Sequence, residues 1–151
     1  MYDVIIVGGG IVGASVGYHL SSAGASALLV DRRDPGRATD AGAGIVSPET
    51  SRHDSETWYE FAVEAASYYR SLTAELGESG VEETGYSQCG ILVASRSEDD
   101  TAFSEGRKRI YARRAKSDHP PADRLYDVSP EEARDRFPAL GDVPSAIYYE
   151  N

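Results

Sequence analysis

Apolar positions along this chain change period at defined points, and the changes mark its elements. Val4-Ile5-Ile6-Val7 is an unbroken β-branched run that stops at Gly8, the pattern of a parallel strand buried on both faces. After Gly8-Gly9-Gly10, the residues Ile11, Val12, Val16, His19, Leu20 and Ala23 recur at helical spacing, and Gly24 supplies a C-terminal stop. Ala27-Leu28-Leu29-Val30 is a second apolar run, closed by Asp31. Strand, glycine turn, helix, strand and acid make one βαβ unit.

Beyond it, residues 32–48 read as a loop rich in Gly, Ala and Pro. Asp54 or Ser55 is placed to cap a helix predicted over 56–76. Trp58, Phe61, Ala62, Ala65, Tyr69, Leu72 and Leu76 form its apolar stripe, and Gly77 ends it. Tyr86 to Ala94 predicts a strand or short hairpin with Gly90 inside it. Residues 99–117 predict a charged, exposed helix, and 117–124, with Pro120-Pro121, a loop. Ser129-Pro130-Glu131-Glu132 has the features of a helix start: a capping serine, proline at the first turn and a glutamate to complete a capping box. That helix is short, because Pro138 follows Phe137. Ala146 to Tyr149 predicts a last strand, and a chain that stops two residues later leaves a sheet without its next partner. The isolated chain is therefore expected to be poorly stable and open to self-association through the incomplete sheet.

Gly8, Gly10 and Gly13 satisfy G-x-G-x-x-G, and each has a physical task. Gly8 permits the tight turn out of the strand. Gly10 lets the backbone approach a pyrophosphate without a Cβ in the way, and Gly13 lets the helix pack closely on the sheet. Free N–H groups at the helix start then point at phosphates. The six-residue pattern is weak alone, but here a strand precedes it, a helix follows, and Asp31 ends the second strand at the expected distance. A carboxylate there accepts hydrogen bonds from a ribose diol and repels a 2′-phosphate. Arg32 and Arg33 leave a 2′-phosphate reading open.

Composition narrows the partners. Aspartate and glutamate number 25 against 15 lysines and arginines, a net charge of −10, which argues against nucleic acid and anionic membranes. A bound nucleotide stays possible, because a helix N-terminus is locally positive. Cys89 is the single cysteine, so neither an internal disulfide nor a cysteine metal site is expected. His19, His53 and His119 show no ligand spacing, and no metal is expected. No signal peptide and no transmembrane segment are read from the sequence, and the expected location is the cytoplasm.

The loop from Arg37 to Pro48 is crowded with small residues, which let a backbone lie against a flat or extended ligand. Taken with the opening Asp3-Val4-Ile5-Ile6-Val7-Gly8-Gly9-Gly10-Ile11-Val12-Gly13, the stretch Ala38-Thr39-Asp40-Ala41-Gly42-Ala43-Gly44-Ile45 resembles the D-amino-acid oxidase family of FAD-dependent oxidoreductases. That family includes glycine oxidases, sarcosine oxidases and D-amino-acid dehydrogenases. Softer matches extend the likeness along most of the chain: Gln88 to Ala94 is similar to the family's "cG-x-L-x-x-A" strand. Ser129 to Leu140 is similar to its "S-x-x-E … F-P-x-L" segment.

The resemblance implies an α/β fold with a three-layer, Rossmann-like FAD-binding core. That core would be incomplete here and joined to the start of an interleaved substrate domain. Residues 1–85 would belong to the FAD-binding domain and 86–151 to the substrate domain, with the C-terminal remainder absent. Gly8, Gly10, Ile11 and Gly13 would hold the FAD pyrophosphate. Asp31 would hold the adenosine ribose, and Arg32 beside it is placed with the cofactor-binding residues. Thr39 would contact the pyrophosphate side, and Ala43, Gly44 and Ile45 would lie near the flavin by backbone contact. Asp40 departs from the family pattern, in which serine or asparagine is usual, and a carboxylate near phosphate is unfavourable unless it is turned away. No catalytic residue is assigned, because the family's substrate-binding arginine and tyrosine belong to the part that follows. The function implied is oxidation of the C–N bond of a small-molecule amine or amino acid such as a D-amino acid, glycine or sarcosine. The alternatives are a catalytically inactive FAD-binding fragment and an NAD-dependent dehydrogenase built on the same βαβ unit.

Overall fold

The computed structural model describes residues 1–117 and 119–150. Within the loop expected over 117–124, residue 118 lies outside the described residues. The chain divides into two compact units, residues 1–45 and 46–151. The domain boundary expected at residue 85 falls inside the second of these, in the irregular stretch that follows its first long helix.

The first unit is the βαβ unit. Strand β1 (Val4–Val7) pairs in parallel with β2 (Ala27–Val30), Val4 opposite Ala27 and Val7 opposite Val30. Helix α1 (Ile11–Ser22) connects them. It stops as the sequence predicts: the Gly24 N–H donates to the Ser21 carbonyl and the Ala25 N–H to the Leu20 carbonyl, with Gly24 at φ +87°. This double closure is the Schellman pattern, and its left-handed residue favours glycine.

Two expectations for this unit need correction. β1 is not buried on both faces: Ile6 points under α1 and is 8% exposed, whereas Ile5 and Val7 are 64% and 86% exposed. A two-stranded sheet with one helix has only one face to cover. The helix also meets the sheet by a different side from the apolar stripe. Ile11, Val12 and Val16 are exposed, and Gly13 and Gly17 face the strands, where a Cβ on Gly17 would lie 3.5 Å from Ile6 Cδ1. Small residues face the sheet because they allow the closest approach, which hydrophobic periodicity alone does not register.

The second unit is built on an antiparallel sheet of order β3-β5-β4: Ile91–Ala94, Ala146–Tyr149 and Leu125–Val128. The central β5 pairs with both neighbours, Tyr149 opposite Ile91 on one side and Leu125 on the other. Helix α2 (Glu56–Glu78) precedes the sheet, α3 (Thr101–Ser117) lies between β3 and β4, and α4 (Pro130–Arg136) between β4 and β5. One sheet face packs Leu125, Ile147 and Tyr149 against Ile110 of α3, with Val93, Phe103 and Tyr111 around them. The other gathers Val128, Ala133 and Ala146, with Leu92, Tyr126, Leu140 and Tyr148.

Local chemistry explains where these elements start and stop. Ser55, not Asp54, caps α2, its Oγ accepting the Trp58 N–H at 3.3 Å. The helix runs through Gly77 and closes at Gly80, which takes φ +90° while its N–H donates to Gly77 and the Val81 N–H to Leu76. Its inward face is Trp58, Tyr59, Ala62, Val63, Ala66, Tyr69, Leu72, Thr73 and Leu76, which holds five residues of the predicted stripe, whereas Phe61 and Ala65 are exposed. At α4 the capping box forms as predicted, with Ser129 and Glu132 bonding reciprocally at 3.1 and 2.7 Å.

The strand or short hairpin predicted over 86–94 is a single strand, Ile91–Ala94, because Gly90 sits at φ +74° and breaks the extended run. β4 falls between the predicted loop and the predicted helix start, where no element is expected, and it carries Asp127 within the strand. Arg107 satisfies that group by forking onto the Asp127 carboxylate at 2.8 and 2.6 Å, and Tyr111 donates to it at 3.2 Å. Nor is α3 uniformly exposed: Ile110 is 3% exposed and several arginines turn inward.

Arg113 organises the segment that opens this unit. It donates to the carbonyls of Pro48, Glu49, Ser51 and His53, and it stacks over the Tyr59 ring at 4.5 Å. Glu49 of the same segment is buried and hydrogen-bonded to His119 Nε2 at 2.8 Å, while the Tyr59 hydroxyl donates to the His119 carbonyl at 3.1 Å. Burial pushes the Tyr59 hydroxyl up to about 12, with the Glu49 charge adding to it.

Gly90 gives the fold its most direct test. A Cβ there would collide with the Tyr148 hydroxyl and lie 2.6 Å from Cζ, at a backbone angle that L-residues avoid. Gly90→Ala is expected to destabilise the chain by about 1–3 kcal/mol, read as a lowered urea midpoint. An unchanged midpoint would refute this account of Gly90.

Candidate functional site

The loop between β1 and α1 is shaped by what its glycines lack. Gly8 turns the chain at φ +104° while its N–H donates to the Val30 carbonyl at 2.8 Å, tying the turn to the end of β2. A Cβ on Gly13 would overlap the Gly8 carbonyl oxygen, so α1 can begin this close to the strand only with glycine there. Gly10 is the N-cap residue, with no side chain to occupy the helix terminus and no acid in the first turn to compete there. The first N–H groups of a helix have no partner within it and carry the positive end of its dipole. This geometry suits an anion.

Asp31 closes the other side. Its carboxylate accepts the Gly9 N–H through Oδ2 and the Arg33 N–H at 2.6 Å through Oδ1. The second bond supports a left-handed turn at Arg33, φ +57°, which is uncommon outside glycine. Those two backbone donors hold the carboxyl below the ordinary aspartate range; desolvation opposes them, and the Arg37 and Arg33 charges add smaller lowering effects.

The loop after β2 returns to the same place. Residues 37–42 make a helical turn, with Asp40 and Ala41 N–H groups donating to the Arg37 carbonyl at 3.0 and 3.3 Å. The turn puts the Thr39 hydroxyl 3.0 Å from the Ile11 N–H, which it accepts, and the Cβ that Gly10 lacks would stand 2.9 Å from Thr39 Oγ1. Asp40 lies back against Arg37 in a bidentate pair, both contacts 3.0 Å, and Arg37 also stands 3.9 Å from Asp31.

Of the residues singled out from sequence, Gly8, Gly10, Ile11, Gly13, Asp31 and Thr39 converge around the start of α1. Arg32 does not join them: it is largely exposed and paired with Asp34 at 2.6 Å. Ala43, Gly44 and Ile45 continue the loop on the exposed side, with Gly44 at φ +69°. Sequence reasoning missed Gly9, whose N–H holds Asp31, and Arg37, which neutralises Asp40. The spacing of Arg37 and Asp40 within one turn was the available signal for the second.

This strand, glycine turn, helix and acid-terminated strand define a nucleotide-binding type of βαβ unit. Comparison with known proteins is more specific. The model of the DAO family, described as FAD dependent oxidoreductase, matches residues 3–151. The chain belongs to that family. It is 39% identical over 148 residues to the uncharacterized oxidoreductase YurR of Bacillus subtilis (strain 168), covering 98% of this chain and 39% of that protein. Iminodiacetate oxidase (IdaA) from Chelativorans sp. BNC1 superposes with a TM-score of 0.85 at 39% identity, covering 97% of this chain and 39% of that one. Glycine oxidase from Bacillus cereus ATCC 14579 superposes with a TM-score of 0.77 at 27% identity, over 99% and 40%. The chain thus spans about two-fifths of the length of these relatives. The α/β fold is that of the FAD-dependent oxidases, in its N-terminal portion. Among the described residues no helix is long and apolar enough to cross a membrane.

The lowered Asp31 pKa makes a pH prediction. The carboxylate contributes to stability in full above the unfolded aspartate value, about 3.9, and the contribution is lost as pH falls below it. Asp31→Asn is therefore expected to lower stability at neutral pH and to flatten the loss of stability below about pH 4, followed by circular dichroism. Parallel pH profiles for the two proteins would contradict it.

Proposed function

We propose that this chain is the N-terminal, cofactor-holding portion of an FAD-dependent oxidase or dehydrogenase acting on the C–N bond of a small amine carrying an α-carboxylate. The convergence of the α1 N-terminus, Asp31 and Thr39 carries the cofactor half of this reading. In it, Gly8, Gly10, Ile11 and Gly13 hold the pyrophosphate by backbone approach. Thr39 stands beside the phosphates, and Asp31 accepts hydrogen bonds from the adenosine ribose. Ala43, Gly44 and Ile45 present backbone to the flavin, with no branched or charged side chain at Ala43 and Gly44 to hold it off. Arg32 is the weakest of the expected contacts, since Asp34 already occupies it.

The substrate half rests on the relatives. Glycine and iminodiacetate, named in two of them, share an N–CH2–carboxylate unit. When bound, FAD supplies the acceptor for the two electrons of the carbon–hydrogen bond next to nitrogen. The chain's own residues in this portion bind and orient that cofactor. The alternative is a chain that binds FAD without turnover, since the residues gathered at the start of α1 serve binding alone.

The test is the visible absorption spectrum of the purified chain after incubation with FAD and removal of excess. Retained flavin near one per chain, followed by bleaching on anaerobic addition of glycine or iminodiacetate, supports the full reading. Retained flavin without bleaching supports the binding-only alternative. A folded chain that retains no flavin overturns the cofactor assignment for this portion.

A further inference from the structure

Asp40 is an awkward residue for a cofactor loop. It follows Thr39, whose hydroxyl accepts the Ile11 N–H at the very terminus that suits an anion. Asp31 adds a second carboxylate on the other side of that loop. Two fixed negative charges so near would oppose two phosphates, because at separations under a Debye length the repulsion is only partly screened. Arg37 is placed against both: Nε and Nη2 fork onto the Asp40 oxygens at 3.0 Å each, and Nη1 stands 3.9 Å from Asp31 Oδ1.

We propose that Arg37 is a positioning residue of the dinucleotide site, which cancels the Asp40 charge and turns that carboxylate away so that a pyrophosphate can approach the start of α1. This rests on the FAD reading above. The fork is not there for stability. Its side chains are 39% and 51% exposed, and a surface pair of this kind contributes about 0–1 kcal/mol to folding. Its direct effect is on the field beside the helix terminus, where the fork neutralises Asp40 while Asp31 keeps its two backbone donors. The mutual hold of the pair further raises the Arg37 pKa, so its charge persists at any working pH.

The role separates from simple loop ordering by the pattern of single and double variants. FAD dissociation constants would be measured by flavin fluorescence at low salt and at 1 M salt for the unaltered chain, Arg37→Gln, Asp40→Asn and the double variant. Charge cancellation predicts that Arg37→Gln weakens FAD binding by about tenfold. Asp40→Asn would leave binding unchanged or tighter, and the double variant would return to within about threefold of the unaltered chain. The Arg37→Gln defect should shrink at 1 M salt, where the Debye length is about 3 Å. All four should unfold at similar urea concentrations. Equal weakening by both single variants without recovery in the double would show that the fork only orders the loop, and would overturn the inference. So would equal affinities throughout. An unaltered chain that binds no FAD would instead remove the cofactor reading, and this inference with it.

Discussion

A Cβ on Gly13 would occupy the space of the Gly8 carbonyl oxygen, and the rest of the first unit follows from that contact. With hydrogen at position 13, α1 starts directly over the turn that leaves β1. The amide end of the helix is then held beside the C-terminal ends of two parallel strands, where ligands of open α/β sheets bind. The same closeness leaves no room for bulk on the helix face that meets the sheet. Glycines therefore face Ile6 and Leu29 while the branched residues of α1 point outward.

Backbone groups, not side chains, do most of the work around that terminus. Asp31 takes its two bonds from backbone N–H groups of Gly9 and Arg33, and Thr39 reaches across to the Ile11 N–H. Such donors cannot rotate away, so the site is preorganised by the fold at little entropic cost. Arginine has the complementary task throughout this acidic chain. Arg37 cancels Asp40, Arg107 cancels the aspartate inside β4, and Arg113 gathers four carbonyls of the segment that opens the second unit. A planar guanidinium with five donors suits each of these better than lysine would.

The sequence disclosed most where local chemistry is decisive. The glycine turn, the stop at Gly24 and the capping box at Ser129 are set within a few residues, and each is present in the structure. It disclosed least where long-range partners decide. β4 depends on an arginine twenty residues away to compensate Asp127, and near the start of α2 Tyr59, whose hydroxyl meets the distant His119 carbonyl, is buried while Phe61 is exposed. Gly77 and Gly80 are equally good stops by composition, and only the backbone conformation chooses between them. At the site, the turn glycines and the acid were legible from spacing. The Arg37–Asp40 fork was signalled by spacing within one turn, but its place beside the helix terminus depends on where Thr39 anchors the loop.

In the FAD reading, the start of α1 receives the cofactor's phosphates. Backbone 15N–1H NMR of the chain titrated with FAD tests that claim residue by residue. The account predicts the largest shifts at the amides of Gly10, Ile11, Val12 and Gly13, with smaller ones flanking Asp31 and through residues 39–45. Shifts centred elsewhere, with the Gly10 to Gly13 amides unmoved while FAD binds, would contradict it.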